Sequence, residues 1–220
     1  MPFSDRTEAG RRLADALAAE TLPDPVVLAL PRGGVPVGAE IAERLGCPLD
    51  LVLVRKIGAP GQEELAVAAV ADSGPDRHLA VNEEIRRALG LDRAWIEAQA
   101  DEKAAENRRR RQSYLGTRQR MDLAGRTAIV VDDGVATGAT TRVALEAVRA
   151  AGPARVILAV PVAPADAVEI LSRSCDRVVC LETPEPFGAI GYFYDDFHQV
   201  SDEEVIRQLD RAADRVAGGR

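Results

Sequence analysis

The stretch VVDDGVATGATT, residues 130–141, decides how the rest of the chain is read. Apolar residues run into two adjacent carboxylates, Asp132 and Asp133, and a turn of small residues follows. Carboxylates at the end of a buried strand are costly unless they are paired or solvated. The turn, from Val135 to Thr140, leads into a helix predicted to begin near Thr140. Small side chains let backbone N–H groups approach an anion closely, and a helix N-terminus adds unsatisfied donors and a positive dipole end. Thr137, Thr140 and Thr141 add hydroxyls. The loop therefore has the chemistry of a phosphate site. Two carboxylates beside it, which only accept hydrogen bonds, suit the two hydroxyls of a ribose. Together they describe a site for ribose 5-phosphate.

Outward from this loop the chain alternates short apolar runs with amphipathic ones. TAIVVDD, VVLAL (26–30), LDLVLVRK (49–56), LAVAAVAD (65–72), RVILAVPVA (155–163) and DRVVCLETP (176–184) read as strands. Helices are predicted from Asp5 to the LPDP stop, from about Pro36 to Gly46, over 141–152, over 165–173 and over 202–219. Strands apolar throughout and separated by helices imply an α/β fold, a mostly parallel twisted sheet with helices on both faces. In such sheets ligands bind beyond the carboxyl ends of the strands, where Asp132 and Asp133 fall. IGAPGQEE, 57–64, reads as a polar loop. The segment at about 82–120 reads as a helical insertion: a short helix capped by Asn82, then a long charged one whose thin apolar face places it on the surface. The run Arg108 to Arg111 reads first as a solvated helix end, with covering pyrophosphate or binding RNA as the less favoured readings.

The composition sets outer limits. With 220 residues and 46% hydrophobic content, the chain has material for one globular domain spanning 1–220. No apolar run reaches the length of a membrane span, and the N-terminus lacks the apolar centre of a secretory signal. Cys47, Cys175 and Cys180 show no metal-ligand spacing and read as reduced thiols of a cytoplasmic protein. The net charge of −7 argues against a general nucleic-acid binder. The oligomeric state stays open, a homodimer included.

AIVVDDGVATGAT resembles the PRPP-binding signature of type I phosphoribosyltransferases, and the resemblance in element order runs from about residue 26 to 200. The segments LPRGGVPVGAEIA, VRKIGAPGQEELA and IGYFYDDF are similar to those of a bacterial group of such proteins with unassigned acceptors. The resemblance implies a Mg²⁺-dependent transfer of ribose 5-phosphate from PRPP to a nucleobase-like acceptor. It implies that Asp132, Asp133, Gly134, Val135, Ala136, Thr137, Gly138, Ala139 and Thr140 hold the ribose phosphate, with the two acids also near the metal. It further implies that the PRGG turn binds pyrophosphate through Arg32, Gly33 and Gly34 and carries a non-proline cis peptide. Arg55 and Lys56 would contact the same group, and 57–64 would be a flexible lid. Asp132, Asp133, Arg32 and Lys56 form the implied catalytic set.

The acceptor is less defined. The 6-oxopurine enzymes carry an Asp three positions after the second acid, where this chain has Ala136. Glu63, Glu64, Asp195 or Asp196 are weaker candidates for taking a proton. Five of the eight aromatic residues lie between 187 and 197, in a region, about 182–200, that forms a hood over the site in the family. Phe187, Tyr192 and Phe193 are the candidates for stacking on a base, against the alternative that the cluster packs the C-terminal segment. A second function fits the same residues: a non-catalytic regulator that binds PRPP or a nucleotide.

Overall fold

The computed structural model describes residues 2–72 and 77–218. Five strands form a parallel sheet in the order β2-β1-β6-β7-β8: β1 (Pro25–Ala29), β2 (Leu49–Leu51), β6 (Thr127–Val131), β7 (Arg155–Val162) and β8 (Arg177–Glu182). Neighbouring residues on these strands bury into opposite layers. Val26, Leu28, Ala128, Val130, Val156 and Leu158 pack in one cluster with residues of α5 (Ala139–Ala150) and α6 (Ala165–Ser172). Val27, Ile129, Val131, Ile157 and Ala159 pack on the other face with α1 (Arg6–Ala18) and α2 (Gly34–Leu45). That two-sided burial is why the strands read as unbroken apolar runs. The expected α/β architecture is therefore present, helices on both faces included.

The second predicted strand, 49–56, is a correction. Its backbone changes partners at Val52, whose N–H still donates to Ala29 O at 3.0 Å. Beyond it the Leu53 carbonyl accepts from Asn107 Nδ2 at 3.1 Å. The chain then leaves the parallel sheet as β3 (Leu53–Ala59) and pairs antiparallel with β4 (Gln62–Asp72), which pairs with β5 (His78–Val81). The predicted 57–64 loop is likewise mostly strand: it forms the end of this hairpin, with Pro60 and Gly61 at the turn. An apolar run shows that a segment is buried, not which sheet buries it.

The insertion is helical as expected, with α3 (Glu83–Ala88) and α4 (Arg93–Leu115). Its placement on the surface is a second correction. Ile96, Ala100, Ala104, Asn107, Arg111, Tyr114 and Leu115 make a buried stripe along α4. Alanines let the helix lie close to its neighbours while adding little to its apparent hydrophobicity, and two of the buried positions are polar. Arg111 is not solvated: its Nη2 donates to both carboxylate oxygens of the buried Asp50, at 2.7 and 2.9 Å. The last helix, α7 (Asp202–Gly218), packs against α2 and α4.

Candidate functional site

The phosphate-type loop starts where β6 ends. Val135 N–H donates to Val162 O at 2.9 Å, which fixes the loop to the neighbouring strand. Gly138 caps α5 in a left-handed conformation, φ 73°, and no side chain caps the helix. The first amides of an α-helix have no intrahelical acceptor, so those opening α5 are available to an anion. Ala136, Thr137 and Ala139 are exposed, Thr140 is half-buried, and Thr141 is buried.

The two acids have different surroundings. Asp132 is half-buried and its Oδ1 accepts from the Asp133 N–H at 2.9 Å. Burial and then the Asp133 carboxylate beside it push the Asp132 carboxyl well above the usual carboxylate range. Asp133 is buried, and its Oδ2 accepts from Arg6 Nε at 2.8 Å. Arg6, the first residue of α1, also donates to His198 O at 2.9 Å and stacks over the Phe197 ring at 3.9 Å. Tyr194 Oη donates to the Asp133 backbone carbonyl at 2.6 Å. Burial, followed by the Asp133 charge, drives the Tyr194 phenol far up, so it stays a donor.

The PRGG turn meets the acids directly. A Cβ on Gly33 would overlap the Asp133 carboxylate, and one on Gly34 would lie 2.6 Å from Val131 O. Only glycine allows this approach. The Pro31–Arg32 peptide is cis, as the resemblance implies. Arg32 is partly exposed, with Nη1 3.7 Å from Asp202 Oδ1. A small cavity of about 40 Å³ lies between this turn, β3, α4 and α5, lined in part by Pro31, Arg55, Arg110 and Thr140.

Arg55 and Lys56 lie within β3 rather than at a strand end, and their side chains leave it on opposite sides. Arg55 reaches toward α4, 3.9 Å from Glu106, on the side where Ile57 packs against Ile96 and Ala100. Lys56 is exposed and shares the opposite side of β3 with Val54, which packs against Val143 and Ala147 of α5. Glu63 and Glu64 are exposed on the hairpin. Asp195 is exposed as well, and Asp196 accepts from the His198 backbone N–H at 3.0 Å.

The hood sits on the acids. Its 3-10 turn, Ile190–Phe193, places Ile190 so near Gly134 that an added Cβ would be 2.5 Å from it. The aromatic residues divide their tasks. Tyr194 is buried and stacks with Phe197 at 5.0 Å and against Phe3 at 5.4 Å. Phe187 stacks with Phe193 at 5.3 Å, while Tyr192 is 78% exposed.

Sequence reasoning gave Arg6 and Asp202 no role, and gave Tyr194 and Arg110 none of their own beyond membership of a larger group. Arg6 is separated from Asp133 by 127 positions, and no local pattern joins them. Of the four, only Tyr194 and Arg110 lay in segments already singled out, as an aromatic cluster and a basic run.

Known proteins resemble the chain over most of its length. The family model described as the phosphoribosyl transferase domain matches residues 5–197. Two relatives from Mycobacterium tuberculosis, of strains CDC 1551 / Oshkosh and ATCC 25618 / H37Rv, are each 45% identical over 96% of this chain. Both are provisionally named phosphoribosyl transferases. The chain spans about half of their length, 47%. The crystal structure of TT1426 from Thermus thermophilus is 45% identical, covers 95% of this chain and 98% of its own, and superposes with a TM-score of 0.82.

Proposed function

The chain belongs to the phosphoribosyl transferase domain family, and on that premise we propose that it transfers ribose 5-phosphate from PRPP to a nucleobase-like nitrogen, releasing pyrophosphate. One observation carries this reading. Three chemically distinct surfaces meet at the carboxyl edge of β1 and β6: the uncapped start of α5, the acid pair, and the PRGG turn packed onto Asp133. They would take, in order, the 5-phosphate, the ribose and the diphosphate of PRPP.

The start of α5 and the hydroxyls of Thr137 and Thr140 would take the 5-phosphate. Asp132 would accept from the ribose hydroxyls. Two hydroxyl donors favour the charged form of a carboxylate, and so offset its raised proton affinity. Asp133 would take part through its second oxygen, since Arg6 engages Oδ2. Arg32, the amides of Gly33 and Gly34, and Arg55, which lines the cavity beside that turn, would receive the diphosphate, with Lys56 adding positive charge from the other side of β3.

Departure of pyrophosphate leaves positive charge on the sugar and negative charge on the leaving group. Carboxylates beside the ribose and guanidinium groups around the diphosphate would stabilise both. The acids also offer the hard oxygen donors that suit Mg²⁺. Among the described residues no group of three His, Cys, Asp or Glu side chains is arranged to hold a metal ion by itself; Asp132 and Asp133 would hold it together with oxygens of the substrate. Mg²⁺ would supply further positive charge against the leaving group.

Tyr192 and the Phe187–Phe193 pair offer planar surfaces to a planar acceptor. No described helix is long and apolar enough to cross a membrane. The free thiols, with Cys47 and Cys175 buried, support a cytoplasmic setting. The test is release of pyrophosphate from PRPP and Mg²⁺ over a panel of purines, pyrimidines and other nitrogen heterocycles. Base-dependent release is expected. PRPP binding with silence across the panel contradicts transfer and favours a non-catalytic PRPP-binding regulator.

A further inference from the structure

The insertion helix brings Arg110 to the diphosphate end of the site. Arg110 lines the small cavity together with Pro31, Arg55 and Thr140. Its Nε and Nη2 both donate to Tyr114 Oη, at 3.0 and 2.9 Å, and its guanidinium lies 5.4 Å from the centre of that ring. Tyr114 is buried and its hydroxyl donates to Asp202 Oδ1 at 2.6 Å. That same carboxylate oxygen stands 3.7 Å from Arg32 Nη1 and 3.9 Å from Arg110 Nη2. One acidic oxygen from the start of α7 therefore lies between two guanidinium groups, one from the PRGG turn and one from α4.

These distances make Asp202 a charge partner of both arginines rather than a direct hydrogen-bond partner. The Arg32 and Arg110 side chains are each 31% exposed and that of Asp202 is 57% exposed, so a solute reaches all three. A diphosphate offers more charge and more acceptor oxygens than a single carboxylate, in a form that suits bidentate arginine.

We propose that Arg110 and Arg32 clamp the diphosphate of the substrate, and that Asp202 is the internal carboxylate which the diphosphate displaces. The inference rests on the function proposed above, because it assigns a residue to the diphosphate part of that ligand. It gives the insertion a task in the site: α4 delivers a cation that the signature loops do not contain. Tyr114 is the positioning residue that holds Arg110 in place.

The test is calorimetric titration of the full chain with pyrophosphate and, separately, with ribose 5-phosphate, both with Mg²⁺. Arg110→Gln is expected to weaken pyrophosphate binding about 10- to 100-fold, the usual loss for a hydrogen-bonded charge. Ribose 5-phosphate, which lacks the diphosphate, should shift less than about twofold. Asp202→Asn keeps an acceptor for the Tyr114 hydroxyl and removes only the competing charge, so it should tighten pyrophosphate binding by about threefold or more. Unchanged pyrophosphate affinity in Arg110→Gln, or weaker affinity in Asp202→Asn, overturns the clamp. A wild-type chain that binds neither ligand overturns the proposed function and the clamp with it.

Discussion

Arg6 and Asp133 form a buried ion pair, Nε to Oδ2 at 2.8 Å, that ties the first turn of α1 to the end of β6. The pair makes the two neighbouring acids unequal. Asp133 is a structural hub: its side chain holds Arg6 and its carbonyl holds Tyr194 of the hood. Among the described residues Asp132 has no cation as direct partner, and its charge is disfavoured by burial and by Asp133.

The two acids should therefore separate stability from binding. Asp133→Asn leaves Arg6 without its counter-charge in a buried site and should cost about 3 kcal/mol or more. Asp132→Asn removes a disfavoured charge and should leave stability within about 1 kcal/mol of the wild type, or raise it. It should nevertheless weaken PRPP binding at least tenfold, on the order of the loss for a charged hydrogen-bond acceptor. Denaturant melts and PRPP titrations of both variants make the comparison; equal losses of stability would contradict it.

Gly34→Ala places a methyl group 2.6 Å from the Val131 carbonyl. Backbone stands on both sides, so relief requires the PRGG turn to move away from β6. A loss of about 1–3 kcal/mol in stability is expected, as for overpacking, together with weaker pyrophosphate binding. A variant with unaltered melting and binding would show that the turn does not need this approach.

The Asp50–Arg111 pair joins β2 to α4, and Asp50 Oδ2 also accepts from Met121 N–H at 3.1 Å. Removing the carboxylate alone, as in Asp50→Ala, should cost about 3–5 kcal/mol, because a buried guanidinium is left uncompensated. Combining it with Arg111→Met should recover part of that loss. The double-mutant cycle checks this, and additive losses would argue against coupling.

Burial drives the Cys47 thiol up to about 11. In the unfolded chain it titrates near about 8.5. Between those values the unfolded chain has lost the proton and the folded one keeps it. Stability is thus lost as pH rises across that window, by up to about 3 kcal/mol. Denaturant midpoints from about pH 8 to about pH 10 should fall more steeply for the wild type than for Cys47→Ala. Equal slopes would show that Cys47 does not contribute.

The site was legible where its parts are contiguous in the chain. Strand, acids, small-residue loop and helix start follow one another from residue 127 to 141, so their relation is set by local geometry. The same holds for PRGG, which joins β1 to α2. Relations across the fold were not legible. Arg6 meets Asp133, Asp202 meets Arg32, and Arg111 meets Asp50 only through tertiary packing. Where the chain leaves the parallel sheet after Val52, the Leu53 carbonyl is met by Asn107, a residue of a helix far along the sequence. The stripe of α4 was hidden because Ala100 and Ala104 bury little surface each and Asn107 and Arg111 are polar.

The measurement that bears most directly on the central claim is the heat of PRPP binding with Mg²⁺, taken for the wild type and for Asp132→Asn at matched folded concentration. A saturable signal in the wild type, lost or weakened at least tenfold in the variant, is the predicted result. No binding by the wild type, or the same affinity in both, would contradict the assignment of the ribose to the end of β6.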